Sequence, residues 1–475
     1  MIKPNPIAKS AALHLGVRRH VCALFRRDMS RRIVRPECPE FPAALRLLLA
    51  LALFVVTVAA SHADPLLLKN AVIHTVSGAT IPKGDVLIQD GKIKAIFDAS
   101  QPGVFSGEAK VIDLAGQHLY PGMIALDSAL GLSEIESVRG TEDTTEVGEY
   151  HPDVESWIAV NPDSELIPVS RANGITHAEA APQGGVVAGI SGVVALDGWT
   201  MDQMTIKRHA ALHVYWPDMK LDTRPKEKFK DPDKFKSLED QAKERSEKLK
   251  ALDDFFLEAR AYAKARATGK TDLNPPWEAM LPVIRGEVPI VIHADELRQI
   301  KAAVKWAETN NYKISLCGGR DAWQAADLLA ADKIPVMYEA VWSPVAMDSE
   351  SYDVNFRAPE ILHKAGVMVA FSNGPDNFHA ALAKNLPYAA AQAVAHGLPG
   401  DEALKGITLY PAQLLGLAAR LGSIEPGKDA TLFVADGDIL DIRSHVIRMW
   451  IAGKEASLDS RHTRLYQKYK NRPKP

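Results

Sequence analysis

Residues 289–317 read PIVIHADELRQIKAAVKWAETNNYKISLC, and this stretch decides the fold. It begins with an apolar run that ends at His293, as expected for a strand buried on both faces. Residues 296–308 follow with apolar side chains three and four positions apart, which is the period of a helix. A second apolar run then ends at Cys317. The order of strand, helix and strand predicts a parallel βαβ unit.

The same alternation continues after this unit, because further apolar runs occupy residues 334–339 and 367–371. The region 121–420 has 300 residues, and a (β/α)₈ barrel takes about 250 before insertions. The sequence therefore predicts an α/β protein with a (β/α)₈ TIM barrel over residues 121–420. The alternative, a doubly wound open sheet, is disfavoured because the sequence has no G-x-G-x-x-G phosphate loop.

Both ends of the region after residue 63 have a β pattern instead. Residues 85–97 read DVLIQDGKIKAIF, in which Asp90 and Gly91 suit a type I′ hairpin turn. Short apolar runs with turn residues return in residues 422–456. We therefore expect a small β-sandwich domain built from residues 64–120 and 421–456, followed by a tail at 457–475.

A charged segment interrupts the barrel region at about residues 223–269. Its apolar residues repeat at helical spacing, Asp231 can cap its start and Gly269 can end it. The segment predicts a helical insertion whose charged face is solvated, in preference to a binding role.

The amino-terminal 63 residues are typical of an export leader. Residues 47–60 are apolar and uncharged, but they are shorter than the roughly 20 residues that span a bilayer. Basic residues precede them, and small residues flank a predicted cleavage site after Ala63. We expect an exported protein, periplasmic or secreted, without a stable membrane span after cleavage. A retained anchor is the alternative, and translation from Met29 instead of Met1 stays open.

Composition and charge limit the partners of this chain. It has 475 residues, 47% hydrophobic and 24% charged, which indicates a large globular protein. Ten of its 56 basic residues but only three of its 59 acidic residues lie in the leader, which leaves residues 64–475 with a charge of −10. This balance argues against nucleic acid as a partner. Removal of the leader also removes Cys22 and Cys38, so no disulfide is expected.

The residues at the predicted strand ends are candidates for chemistry, because barrel enzymes place their reacting groups there. Asp127, His293 and Asp376 follow three such strands. Together they match the three protein ligands that a catalytic zinc ion takes. A packing role for His293 is the alternative. Cys317, which has no adjacent base, is interpreted as a buried packing residue.

The loop after the first barrel strand, residues 131–154, is rich in acidic side chains. Glu134 and Glu136 are the candidates in this loop for binding a cationic group of a substrate, although a solvated loop is the favoured interpretation. The sequence has no H-E-x-x-H, C-x-x-C or G-x-S-x-G motif, so zincin, redox and nucleophile-elbow chemistries lack support.

Several phrases resemble the composite-domain amidohydrolases, and within them the imidazolonepropionase-like branch. They extend over nearly all of residues 66–438 and include HLYPGMIALDSALGL, VPIVIHADE, HKAGVMVAFS and LGSIEPGKDATLFVADGD. The resemblance implies a (β/α)₈ barrel with a β-sandwich formed by both chain ends. It also implies hydrolysis of non-peptide C–N bonds with a divalent metal ion such as zinc.

The chain departs from the family pattern at its metal ligands. Where the family has His-x-His, this sequence has Asp127 and Ala129, and the usual His of the sixth strand falls at Gly318 or Gly319. The usual Asp of the last strand falls at residues 373–374, and Asp376 is the nearest carboxylate. His293 alone matches a family ligand, that of the fifth strand.

Three functions follow from these residues. The first is a hydrolase of cyclic amide-like substrates, in which Asp127 and His293 hold a metal ion and Asp376 moves the proton. The second is a binding module without catalysis, which takes a small molecule or pairs with an active relative. The third is a metal-free hydrolase with Glu134 or Glu136 as the base, which is the least favoured. Homo-oligomerisation stays open.

Overall fold

The computed structural model describes residues 64–99, 105, 107–135 and 137–473. The predicted leader lies outside these ranges, so export and cleavage after Ala63 stay predictions. Within these ranges, no helix combines the length and the apolar character that crossing a bilayer requires.

The strands follow the chain in short pieces. They are β1 (Leu66–Ile73), β2 (Ile81–Gln89), β3 (Lys92–Asp98), β4 (Lys110–Asp113), β5 (His118–Pro121), β6 (Met123–Ser128), β7 (Ile175–Ala180), β8 (Val187–Ile190), β9 (Gly192–Ala195), β10 (Thr205–Lys207), β11 (Leu212–Tyr215), β12 (Ile290–Ala294), β13 (Ile314–Gly318), β14 (Val336–Tyr338), β15 (Val369–Phe371), β16 (Leu432–Ala435), β17 (Val446–Ile451) and β18 (Lys454–Glu455).

The helices lie mainly in the second half of the chain. They are α1 (Leu166–Arg171), α2 (Met201–Met204), α3 (Leu238–Ala267), α4 (Pro275–Ile284), α5 (Leu297–Asn310), α6 (Ala326–Ala331), α7 (Val354–Lys364), α8 (Asn377–Leu382), α9 (Leu386–Ala395), α10 (Gly400–Ile407), α11 (Leu409–Leu414) and α12 (Arg461–Lys470).

One sheet contains strands from both ends of the described chain, in the order β18-β17-β16-β5-β1-β2-β3, with β4 also paired to β1. The two ends meet because β5 pairs with β1 on one side and with β16 on the other. The β2–β3 hairpin has positive φ at Asp90 (52°) and Gly91 (75°), as a type I′ turn requires. Hydrogen bonds join all eight strands into one sheet, and its expected folding into a sandwich stays a prediction.

The remaining strands form two sheets, ordered β10-β9-β7-β6 and β15-β14-β13-β12-β11-β8. Ser191 alone separates β8 from β9, and a parallel bridge joins Leu126 to Ser372 after β15. The architecture is therefore mixed α/β, and the described strands do not form one closed barrel. A (β/α)₈ barrel consists of parallel strands. Here β8 pairs antiparallel with β11, and β9 pairs antiparallel with β7, which interrupts the parallel arrangement.

Helix α5 shows how the βα units are held together. Glu296 and Gln299 form a capping box at its start. Its buried face includes Ile300, Val304 and Trp306. Burial of an aliphatic side chain such as Ile300 or Val304 contributes about 2 kcal/mol. This packing fixes the end of β12 that precedes the helix.

The helical insertion starts later than the sequence predicts. Asp231 accepts a hydrogen bond from the Asp233 N–H in a short turn, so it does not cap the long helix. Ser237 caps α3 instead, through a hydrogen bond from the Asp240 N–H. The buried residues of α3 lie between Leu252 and Tyr262, and they include Phe256.

Candidate metal centre

Five side chains that can bind a metal ion lie together near the carboxyl ends of neighbouring strands. Asp127 is on β6, His213 on β11, His293 on β12 and Cys317 on β13, and Glu339 directly follows β14. The pairing register contributes to this, since His293 lies opposite Cys317 and Cys317 opposite Met337. We call these five residues the donor cluster.

Asp127, His213 and His293 form the first group of the donor cluster. One ligand atom from each lies within 4.8 Å of the other two. His213 Nδ1 is 2.9 Å from His293 Nε2 and 3.6 Å from Asp127 Oδ1. His293 Nδ1 is 3.6 Å from Asp127 Oδ2. The ring of Tyr215 stacks on His293 with the centroids 3.9 Å apart, which restricts the imidazole.

Asp127, Cys317 and Glu339 form the second group, so Asp127 belongs to both. The Cys317 thiol donates to Asp127 Oδ2 at 3.1 Å and lies 3.3 Å from Glu339 Oε1. Ser372 Oγ donates to the same Glu339 oxygen at 3.0 Å. The interpretation of Cys317 as only a packing residue is therefore incomplete, because its sulfur contacts two carboxyl groups.

A fully buried carboxylate supports the first group from β7. Glu179 Oε2 accepts the Asp127 N–H at 3.1 Å, and Glu179 Oε1 accepts the Ser191 hydroxyl at 2.8 Å. His213 Nε2 lies 3.3 Å from Glu179 Oε1. Asp127 itself has φ of +45°, a left-handed backbone that costs a non-glycine residue roughly 1 kcal/mol.

Burial changes the acid–base properties of the second group. Burial and the neighbouring Glu339 carboxyl raise the pKa of Asp127 well above its usual range. Burial also raises the pKa of Glu339, with Asp295 adding to the effect. The Cys317 thiol has a pKa raised well above its usual range by burial and by both carboxyls. Each shift opposes negative charge in the absence of a cation.

The pKa values of His293 and of the supporting carboxylate Glu179 are both lowered. Burial and the neighbouring His213 lower the pKa of His293 well below its usual range, which keeps the ring neutral and able to bind a metal ion. Burial works to raise the pKa of Glu179, but hydrogen bonds from His213, Ser191 and the Asp127 N–H outweigh it and lower that pKa. Glu179 is therefore held as the anion.

The residues present fit a divalent cation. Asp127 Oδ1 is buried and has no hydrogen-bond partner among the described residues, and an unpaired buried acceptor is costly. No described Lys or Arg forms an ion pair with Asp127, Glu179 or Glu339; the ion-pair partners of Asp127 and Glu179 are histidines. Carboxyls without a Lys or Arg partner, next to two imidazoles and a thiol, form a donor set suited to zinc.

A cavity of about 480 Å³ lies beside the donor cluster, and Glu339 belongs to both. Its wall includes Asp295, Trp342 and Asp376. A Cβ placed on Gly374, another wall residue, would lie 3.7 Å from Glu339 Oε2. The Glu339 carboxyl is therefore the side chain through which the donor cluster contacts the cavity.

The structure brings two of the predicted metal ligands, Asp127 and His293, into one group and leaves Asp376 outside the convergent groups of the described chain. Asp376 caps α8: its Oδ1 accepts the His379 N–H at 2.8 Å, and its Oδ2 lies 2.6 Å from His379 Nδ1. Its side chain is 56% exposed, on the wall of the cavity. Asn373 is also engaged elsewhere, since its amide donates to Leu382 O at 3.0 Å.

The acidic loop does not join the donor cluster. Glu134 Oε1 accepts a hydrogen bond from Asn161 Nδ2 at 3.2 Å. Glu134 does not line the described cavity that borders the donor cluster. Glu136 lies outside the described residues, so its predicted role in substrate binding stays a prediction.

The glycine at the predicted sixth-strand ligand position has a structural reason. Gly318 has φ of +87°, and a Cβ on it would lie 2.7 Å from Asp295 Oδ1. Asp295 in turn accepts the Arg320 N–H at 3.3 Å. A histidine at this position would therefore clash with a carboxylate of the neighbouring strand end.

Sequence reasoning missed His213, Glu179 and Glu339. Glu339 was within reach, because it ends a predicted strand and is a carboxylate. His213 carried a weaker signal: it stands in the apolar run AALHVYW, similar to the run before His293. Glu179 lies in THAEAA, where small residues hide the strand pattern.

Comparison with known proteins gives consistent results. Residues 198–458 match the sequence profile of the Amidohydrolase family. A crystal structure of an amidohydrolase from Thermotoga maritima MSB8 is similar with a TM-score of 0.71 and 27% identity, covering 82% of this chain and 99% of that one. A crystal structure of another amidohydrolase has a TM-score of 0.50 and 16% identity, covering 82% and 98%, and supports the fold alone.

Among curated proteins, the Amidohydrolase tasK of Hapsidospora irregularis is 23% identical over 400 residues. The alignment covers 78% of this chain but only 39% of that protein. This chain thus spans well under half the length of that relative.

Proposed function

Since the chain belongs to the Amidohydrolase family, we propose that it is a metal-dependent hydrolase of non-peptide C–N bonds in small, cyclic amide-like substrates. The main support for the proposal is the unpaired, fully buried Asp127 Oδ1, in a carboxyl group that lies 3.6 Å from a ring nitrogen of each of two histidines, His213 and His293. Divalent metal ions are general in this family, which gives the same expectation for the donor cluster.

Asp127, His213 and His293 would hold the cation, and Cys317 and Glu339 converge with Asp127 in the second group. A divalent cation held there supplies Lewis-acid chemistry, which polarises a scissile carbonyl and lowers the pKa of water. The buried His213 ring and the Tyr215 ring stacked on His293 keep the ligand atoms in fixed positions.

Glu339 is placed to move the proton. It borders the cavity, whereas both oxygens of Asp376 contact His379 at the start of α8. In the reaction, Glu339 accepts a proton from the attacking water as the C–O bond forms. It returns that proton to the leaving nitrogen as the C–N bond breaks. Glu339 thus takes the role that the sequence assigns to Asp376.

A paired comparison of variants tests these roles. The protein, loaded with zinc, is assayed against cyclic amides, cyclic imides and N-acyl amino acids. We expect turnover that a chelator abolishes and zinc restores. Glu339→Gln should lower kcat by roughly 100-fold or more, as loss of a general base does, and Asp376→Asn should lower it far less.

Two results would contradict the proposal. If Asp376→Asn is the variant that abolishes turnover, the proton does not pass through Glu339. If the zinc-loaded protein hydrolyses none of these substrates yet binds them, the chain is a binding module and not a hydrolase.

A further inference from the structure

We infer that Glu179 is the positioning residue of the metal centre, which fixes the ring of His213 and the backbone of Asp127 with one buried carboxylate. This inference rests on the proposed function, because it concerns ligands of the same cation. Glu179 is on β7 and is fully buried, so its contacts are made within the protein and not with bulk solvent.

The contact with His213 determines which ring nitrogen can bind the cation. A carboxylate only accepts hydrogen bonds, so His213 Nε2, at 3.3 Å from Glu179 Oε1, carries the hydrogen. The lone pair is then on Nδ1, which is the nitrogen that faces His293 and Asp127. Metal-binding histidines commonly donate their other N–H to a carboxylate, which fixes the tautomer and makes the ligand more basic.

The contact with Asp127 fixes a second ligand. Asp127 has a left-handed backbone at the end of β6, and its N–H donates to Glu179 Oε2 at 3.1 Å. This hydrogen bond stabilises the turn of the backbone there. Two of the three ligands in the first group therefore depend on Glu179, although Glu179 does not belong to either converging donor group.

Ser191 keeps Glu179 in place. Its hydroxyl donates to Glu179 Oε1 at 2.8 Å and lies 3.3 Å from the Ala211 carbonyl, close to His213 on the same segment. Ser191 also separates β8 from β9, so the Glu179 contacts lie where the two sheets meet.

The test measures metal binding in the full-length protein. Zinc affinity is determined by competition with a chromophoric chelator, and the cobalt-loaded protein is examined by visible absorption. Glu179→Gln keeps the shape but turns an amide donor toward groups that are themselves donors. We expect its zinc affinity to fall 10- to 100-fold and its cobalt spectrum to change, with the unfolding midpoint of the metal-free protein little altered.

Two further variants separate positioning from a general structural role. Ser191→Ala leaves Glu179 in place with one hydrogen bond fewer, and we expect a smaller loss of about threefold to tenfold. Glu402→Gln is the matched control, because Glu402 also accepts two side-chain hydrogen bonds, from Lys405 and Tyr410, and belongs to neither donor group. It should leave zinc affinity unchanged.

The outcomes of this test are distinct. If the wild-type protein binds no metal ion, the proposed function fails. If the wild type binds zinc and Glu179→Gln binds it within threefold as tightly, with an unchanged cobalt spectrum, Glu179 does not position the ligands. If Glu179→Gln does not fold, an undiminished affinity in Ser191→Ala would overturn the inference.

Discussion

Two pairs of histidines in this protein lie equally close, and only one belongs to a donor group. His213 and His293 have ring nitrogens 2.9 Å apart in the donor cluster, and His74 and His118 have ring nitrogens 3.0 Å apart in the eight-stranded sheet. The second pair stacks with Tyr120, whose hydroxyl is 3.2 Å from His118 Nδ1. Both convergent groups in the described chain contain Asp127.

Neighbouring imidazoles therefore do not make a metal centre by themselves. His74 and His118, the sheet pair, have hydroxyl partners from Thr80 and Tyr120. His213 and His293, the cluster pair, instead face a buried carboxyl with an unpaired oxygen. A buried carboxylate without a compensating positive charge is unfavourable. A bound cation would therefore stabilise the donor cluster but not the sheet pair.

Replacing one histidine of each pair should show the largest effect. We expect His213→Ala to weaken zinc binding by at least about 100-fold, because it removes a direct ligand. His118→Ala is the control and should bind zinc as the wild type does. Chelator competition measures both affinities. Equal losses of zinc affinity in the two variants would show that His213 is no more a direct ligand than His118 is.

Zinc should stabilise the folded protein by binding to the Asp127 carboxyl, which both donor groups share. A cation that binds only the folded state at about 1,000 times its Kd adds about 4 kcal/mol, which we expect as a rise of roughly 5 °C in Tm. Asp127→Asn keeps the side-chain shape but removes the charge shared by both groups, so zinc should not raise its Tm. Calorimetry of metal-free and zinc-loaded protein measures this. A similar rise in the variant would place the cation elsewhere.

Cys317 should affect which metal ion is preferred. Thiolates favour zinc, whereas carboxylates suit manganese and magnesium. We expect Cys317→Ser to lower zinc affinity about tenfold and manganese affinity by less than about threefold. Competition titrations with both ions give the ratio. A parallel loss for both ions would indicate that the sulfur is a packing group and not a ligand.

The sheet pair should respond to pH and not to metal. Burial and the neighbouring His118 lower the pKa of His74 to about 4, with Asp438 opposing. Between pH 6.5 and 4 the unfolded chain therefore binds more protons, so stability falls as pH falls through this window. Tyr120, Asp401 and Lys405 also face this site.

Replacing His74 tests that pH effect, which is the smallest of the set. His74→Gln should reduce the loss of unfolding free energy between pH 7 and 4.5 by about 1 kcal/mol, an amount discounted for solvent screening. Urea unfolding at the two pH values measures it. An unchanged pH dependence would show that His74 does not titrate in this way.

Much of the fold could be predicted because it depends on local patterns. The Asp90-Gly91 turn and the apolar runs before His293 and Cys317 lie within a few residues of the signals that reveal them. The donor cluster depends on pairing across long stretches: Asp127 contacts Glu179 52 residues away and Cys317 190 residues away. Nothing local to Glu179 indicates that its carboxylate supports His213, so that part of the site required the structure.

The most direct test of the metal centre is anomalous diffraction at the zinc edge from crystals of the zinc-loaded protein. We expect a peak between Asp127, His213 and His293, close to the unpaired Asp127 oxygen. A peak at His74 and His118, or no peak at the donor cluster in protein that contains stoichiometric zinc, would contradict it.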